Sequence, residues 1–276
     1  MDLKSALSGV IVRQCITPHS VNAPVYSGEN LQVNQREFAT RVDGVGSFYV
    51  RDGKEVEYIA ETGADPDWVK LYLNGQVLVA LLHQRKIINF HASSFIHDGR
   101  GIMVLGDTGA GKSSLTVSFA LNGAEFLSDD LTPVIFREDK PCLWPLNREV
   151  KIRAGTAEQL KIGNEKLREA EAGTGKKYLR LAPAVVENHP LHTVLRIETG
   201  KVGKPEFSEP SPAEKFSLLR GEVCSWEILA GMSETEEAYL HQLLEIVKQV
   251  KIVRVLRPVD IEIAVLHNAV RDYLSR

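Results

Sequence analysis

Several things this sequence lacks narrow its chemistry before any motif is read. Its three cysteines, Cys15, Cys142 and Cys224, are odd in number and far apart, with no Cys-x-x-Cys pair. That argues against a cysteine-built zinc site, and reduced thiols are the simplest reading. Long apolar runs are also missing. The longest strictly apolar run is Val77 to Leu82, far short of a membrane span. The apolar stretch Gly9 to Val12 is too brief for a secretory signal. Nor is there a surplus of positive charge, since 33 Lys and Arg stand against 36 Asp and Glu for a net charge of −3. A generally basic surface for nucleic acid is therefore not expected. No internal repeat is visible. These absences together predict a cytoplasmic protein with neither a membrane nor a nucleic-acid partner.

What is present is ordinary for a folded chain: 43% hydrophobic and 25% charged residues over 276 positions. That length suits one large domain, or a core domain with a small appendage. Residues 1–62 read as a small β-rich region and 63–276 as an α/β domain. In the first, Gly46 to Arg51 reads as a strand entering an Asp52-Gly53 turn. Asp65-Pro66-Asp67 carries helix-start chemistry, and a mostly apolar helix is expected from Trp68 to about Ile88, weakened by Gly75. His91 to His97 and Gly101 to Leu105 are apolar runs separated by Asp98-Gly99, a tight-hairpin signal. Lys112 to Asn122 reads as a helix ended by Gly123. Strands are expected at Glu125 to Ser128, Leu131 to Phe136, within Trp144 to Ile152, at Leu191 to Glu198 and at Lys251 to Leu256. Residues 163–177, rich in Glu and Lys and punctuated by Gly163, Gly173 and Gly175, read either as a mobile loop or as a solvated helix. Pro205 to Pro212 reads as a loop, and Glu214 to Arg220, Thr235 to Val250 and Ile261 to Leu274 as helices.

The residues Gly106-Asp107-Thr108-Gly109-Ala110-Gly111-Lys112-Ser113 meet the pattern GxxxxGK[ST] in full. They follow the apolar run Ile102 to Leu105 and precede the Lys112 helix, which is the context a phosphate-binding loop, or P-loop, requires. Glycines let successive N–H groups turn toward phosphate oxygens. The helix N-terminus adds a positive dipole end. Lys112 brings a full charge to the β- and γ-phosphates, and the Ser113 hydroxyl suits Mg²⁺. Residues 106–114, including Ser114, form the expected nucleotide site.

Asp129 and Asp130 follow the apolar strand Glu125 to Ser128, placed where a strand next to the loop's own strand should end. One carboxylate at such a position holds Mg²⁺, and the second is free to act as general base toward a hydroxyl. The magnesium set is written as Ser113 with Asp130, though the metal and base roles of the two aspartates remain interchangeable. Phosphoryl transfer calls for one more cation, and Arg148, Arg153, Lys176, Lys177 and Arg180 are the downstream candidates. His83 and His97 read as structural, and Trp144 with Pro145 as core packing or as the border of a nucleotide base or acceptor groove.

His91-Ala92-Ser93, the loop Gly106 to Ser113, and Ser128-Asp129-Asp130 together resemble the catalytic domain of the HPr kinase/phosphorylase family. Leu81-Leu82-His83-Gln84-Arg85 and Gly46 to Val50 are similar to stand-alone HPr kinase-like proteins, some of which phosphorylate lasso-peptide precursors. The resemblance spans roughly residues 40–275 and is strongest over 81–134. It implies an α/β fold with a P-loop core of the phosphoenolpyruvate carboxykinase-like kind and a mixed sheet. It also implies ATP and Mg²⁺, a Ser or Thr hydroxyl of a protein or peptide as acceptor, and His91 supporting Asp129 or Asp130. The catalytic set is then Asp129, Asp130, His91 and Lys112. Asn122-Gly123-Ala124 stands where that family usually has Arg-Gly-His, and the family's downstream glycine-rich signature is missing. HPr itself and the reverse reaction therefore do not follow. A small-molecule hydroxyl acceptor and a nucleotide-sensing module are the other readings, and a homo-oligomer is allowed.

Overall fold

The computed structural model describes residues 7–146, 149–170, 174–182, 184 and 187–276. The chain forms two units, one of residues up to Asn89 with Val223–Gln242, the other of Phe90–Glu222 with Leu243–Arg276.

The first unit is built on a sheet of order β1-β6-β5-β4-β3-β2. Its strands are β1 (Ile11–Gln14), β2 (Tyr26–Ser27), β3 (Leu31–Val33), β4 (Glu37–Val42), β5 (Gly46–Arg51) and β6 (Glu55–Ala60). Asp52 and Gly53 both take positive φ in the three-residue connection between β5 and β6, a conformation that Asp-Gly admits at little cost. Asp65 caps the following helix by accepting from the Asp67 N–H at 2.8 Å, with Pro66 at its first turn. The helix does not run unbroken to Ile88. It widens to a π-helical stretch over Leu73–Val77, around Gly75, and continues as Leu78–Gln84. It then stops because Lys86 turns to φ +55. His83 is buried here, its ring nitrogens 2.9 Å from the Tyr239 hydroxyl and 3.1 Å from the Cys224 carbonyl. Its role is structural, as expected.

The second unit is mixed α/β. The chain reaches it through the short β7 (Asn89–Phe90). β8 (Ser93–His97) and β9 (Arg100–Gly106) form the expected antiparallel hairpin, with Asp98 and Gly99 at positive φ. β10 (Glu125–Ser128) pairs antiparallel with β8, not with β9. The aspartate strand is therefore one place further from the loop's strand than expected, because the hairpin inserts β8 between them. On the other side of β9 lie β16 (His189–Gly200) and then β18 (Lys251–Pro258), both parallel to it. The short β17 (Glu206–Ser208) pairs with β18 inside the stretch expected as loop. β11 (Thr132–Arg137) and β12 (Lys140–Leu143) extend the sheet from the start of β16.

One face of this sheet presents Ile102, Val104, Leu195, Ile197, Val253 and Val255, the alternate residues of β9, β16 and β18. The helices Lys112–Leu121 and Ile263–Leu274 cover it. The first contributes Leu115 and Phe119, four apart; the second contributes Leu266, Val270 and Leu274, again four apart. The helix Lys112–Leu121 is buried on another side as well, where Val117 joins Phe126, Val150, Ile152 and Leu179. Each such fully buried side chain contributes about 1.5–3 kcal/mol, so this helix is held firmly at its C-terminal two-thirds while its N-terminus opens at the loop.

Residues 163–177 are neither a bare loop nor a helix where they are described. Asn164–Lys166 is a 3-10 turn, followed by β14 (Leu167–Glu169). β14 pairs with β15 (Lys176–Arg180), which pairs with β13 (Glu149–Arg153). Gly173 and Arg148 lie outside the described residues. Among the described residues, no helix is long and apolar enough to cross a membrane.

Candidate functional site

β9 ends in Gly106, where a Cβ would lie 2.7 Å from the Ile197 carbonyl oxygen of β16. Only glycine allows the loop to leave the sheet at this point. The chain then turns, with Ala110 N–H donating to the Asp107 carbonyl at 3.0 Å. Gly111 takes φ +106 as N-cap of the helix Lys112–Leu121 and brings no side-chain cap. The first backbone bond of that helix runs from Leu115 N–H to the Gly111 carbonyl. The N–H groups of the preceding turn thus have no partner within the helix, the state in which a helix start receives an anion. The Lys112 ammonium reaches back to donate to the Gly106 carbonyl. Burial lowers its pKa, opposed by the charges of Glu222, Asp130 and Asp129. The Ser114 hydroxyl bonds Thr156 Oγ1 at 2.8 Å.

Asp129 is buried, 3% exposed. Its Oδ1 accepts from the Ser93 hydroxyl of β8 and from the Ser113 hydroxyl at 2.9 Å, and its Oδ2 accepts from the Lys151 N–H of β13 at 3.4 Å. Burial, reinforced by the charge of Asp130, pushes its pKa up to about 6 against those hydrogen bonds. Asp130 differs in every respect. It takes φ +66, its side chain is 55% exposed, and its Oδ1 lies 4.0 Å from His91 Nε2. His91 is held by its N–H donating to the Glu222 carbonyl at 2.8 Å. Burial, then the charge of Lys112, lowers its pKa, so the ring is neutral at neutral pH.

The expected residues therefore sort into two subsets. Ser113 and Asp129 are bonded to each other, Asp130 stands beside His91, and the Lys112 charge acts on both aspartates and on His91. The downstream cations do not join them as loop residues. Lys176, Lys177 and Arg180 are all within strand β15, and Arg153 ends β13.

Two arginines were not anticipated. Arg196 of β16 lies level with Leu105 of β9, next to Gly106. It pairs with Asp107 at 2.9 Å and with Glu222. Burial raises the pKa of Glu222, while the charges of Arg196 and Lys112 lower it. Arg257 of β18 is 8% exposed. It donates to the carbonyls of Ala110 at 2.8 Å, Gly109 at 3.4 Å, Pro258 at 2.8 Å and Val259 at 2.9 Å. Both sit toward the C-terminal ends of strands parallel to β9, where open α/β sheets place their ligands. An arginine interrupting an apolar strand was the signal available for each.

The residues present fit a hard cation on a phosphate chain. In octahedral Mg²⁺ with bonds of about 2.1 Å, neighbouring ligand oxygens are about 2.9–3.0 Å apart, and Ser113 Oγ and Asp129 Oδ1 are separated by 2.9 Å. Among the described residues, no cluster of three or more His, Cys, Asp or Glu forms a protein-only metal site. Magnesium bound here would take few protein ligands, as it does where phosphates complete its shell.

No protein-family model matches this sequence, and no curated protein matches it. Among solved structures, the chain is similar to the Hpr(Ser) kinase/phosphatase from Coxiella burnetii, at 14% identity and a TM-score of 0.36, over 67% of this chain and 95% of that one.

Proposed function

We propose that this protein is a P-loop kinase that transfers the γ-phosphoryl group of ATP to a Ser or Thr hydroxyl of a protein or peptide. The observation that carries this reading is the division of labour between the adjacent aspartates. One is buried against the loop serine at 2.9 Å, and the other is solvent-exposed beside a histidine.

In this reading the main-chain N–H groups of 106–114 and the Lys112 ammonium hold the triphosphate. Ser113 and Asp129 hold Mg²⁺, which neutralises charge on the phosphates when bound. Asp130 then takes the base role rather than the metal role expected for it from the sequence. The acceptor oxygen forms its bond to the γ-phosphorus as the β,γ-bridging P–O bond breaks. ADP leaves, and the hydroxyl proton passes to an Asp130 oxygen. Neutral His91, with its Nε2 4.0 Å from Asp130 Oδ1, orients that carboxylate. Arg196 is the further cation that phosphoryl transfer needs, poised beside Asp107.

The decisive experiment follows label from γ-labelled ATP into peptide and protein hydroxyls. Lys112→Met should abolish transfer. ATP hydrolysis with no labelled acceptor from any source would favour a nucleotide-sensing module instead, and label in a sugar or free amino acid would favour a small-molecule kinase.

A further inference from the structure

The small sheet β13-β15-β14 has two unlike faces. Val150, Ile152 and Leu179 point to the core, with Leu167 packed against them. The strand register places the alternate residues on the opposite face: Lys151 opposite Tyr178, Arg153 opposite Lys176, Glu149 opposite Arg180, and Arg168 opposite Tyr178. That outer face therefore collects Lys151, Arg153, Arg168, Lys176 and Arg180 against the single carboxylate of Glu149. The chain as a whole carries a net charge of −3, so this is a local concentration of positive charge. Tyr178 organises it, with the Lys151 ammonium 5.2 Å and the Arg168 guanidinium 4.5 Å from its ring centroid.

The face is joined to the catalytic carboxylates. The Lys151 N–H donates to Asp129 at 3.4 Å, and the charge of Lys176 acts on His91. A chain lying across this face could present a hydroxyl to Asp130. We propose that the outer face of β13, β15 and β14 docks an acidic stretch of the polypeptide acceptor; this rests on the kinase reading and names its substrate class. A nucleic acid suits it less well. Single strands are gripped by successive open aromatic rings, and the one ring on this face is engaged by two cations.

The test uses the full chain and two short fluorescent Ser-containing peptides, one rich in Glu and the other with each Glu replaced by Gln. At low salt the Glu peptide should bind at least about tenfold more tightly, and raising salt to about 0.5 M should remove most of that preference. Arg168→Glu and Arg180→Glu should each weaken Glu-peptide binding, and the pair should erase the preference. Because Arg168 pairs with Glu149 at 3.4 Å and Arg180 lies opposite it, each reversal should lower the melting temperature slightly, while Mg²⁺-nucleotide affinity should stay unchanged. Should a charge reversal unfold the protein, Arg168→Gln and Arg180→Gln give the same readout. Equal binding of both peptides, indifference to the variants, or displacement of the Glu peptide by a tighter-binding single-stranded oligonucleotide would overturn the proposal. A Glu-peptide preference in a protein unable to bind Mg²⁺-nucleotide would support the docking face and end the kinase reading.

Discussion

Asp129 and Asp130 are neighbours whose charges act on each other, yet one is buried and the other exposed, and their separate roles can be tested residue by residue. Asp130→Asn keeps the size of the side chain and removes its basicity. Turnover should fall by about 10²–10⁴, with nucleotide affinity within a few-fold of wild type in a fluorescent-nucleotide titration. Asp129→Asn should act on the other parameter, since the magnesium dependence of nucleotide binding should largely vanish. An equal loss of binding and turnover in Asp130→Asn would move it to the metal role. The acid side of the pH profile follows from burial of Asp129. Its pKa is raised to about 6, so the carboxylate proposed to receive Mg²⁺ is progressively protonated below that pH. Apparent Mg²⁺ affinity should then drop about tenfold per unit below pH 6, measured at saturating nucleotide. Arg196→Met should lower turnover more than nucleotide affinity if its charge is used in the transition state.

At the scale of elements, the loop is held from behind. Arg257 on β18 gathers the carbonyls of Gly109 and Ala110 together with those of Pro258 and Val259. Holding these carbonyls fixes the peptide planes of the loop, so in the proposed kinase Arg257 is a positioning residue. Arg257→Met removes the donor shared by four carbonyls, that of Ala110 among them buried. The KM for ATP should rise more than about tenfold while kcat falls less, and Arg257→Lys, which retains some donors, should recover part of the loss. Equal behaviour of the Met and Lys variants would reduce Arg257 to packing. This clamp also shows why the sequence was legible only in part. Asp98-Gly99, Asp65-Pro66 and Gly106 to Ser113 encode structure through their own φ/ψ demands and nearby donors, so they could be read locally. The neighbours of the loop are set by strand order. Nothing near residue 110 announces that β18, with Arg257, or β16, with Arg196, will lie beside it. The place of β10 beyond β8 is likewise a property of the sheet. Of the β13-β15-β14 sheet only β13 was expected, from the alternation Val150, Ile152 within Trp144 to Ile152; β14 and β15 were obscured because their outer face is so charged that Leu179 alone marks β15 as buried strand.

At the scale of the whole molecule, the two units carry buried titratable groups of opposite sign. In the first, burial lowers the pKa of His83 to about 4. Its stabilising contribution is complete above the unfolded value of about 6.5 and is lost as pH falls toward 4. In the second, the pKa of Asp129 is raised to about 6. Without metal, its contribution is complete below the unfolded value of about 3.9 and is lost as pH rises through 6. Ligand-free protein should therefore weaken at both ends for different reasons. Hydrogen exchange should quicken first around Leu78–Gln84 in acid, and first around Ser93, Ser113 and Asp129 above pH 7. Asp129→Asn isolates the second effect. Its stability relative to wild type should be near even at pH 4 and should grow, on the order of a few kcal/mol, between pH 4 and 7. Adding Mg²⁺ with nucleotide should cancel that advantage, since a ligand at a hundred times its Kd stabilises by about 2.7 kcal/mol and only wild type retains the carboxylate proposed to bind the metal. A wild type and variant whose melting temperatures move in parallel across pH 4 to 8, with or without Mg²⁺-nucleotide, would mean that Asp129 is not the buried acid on which the site is built.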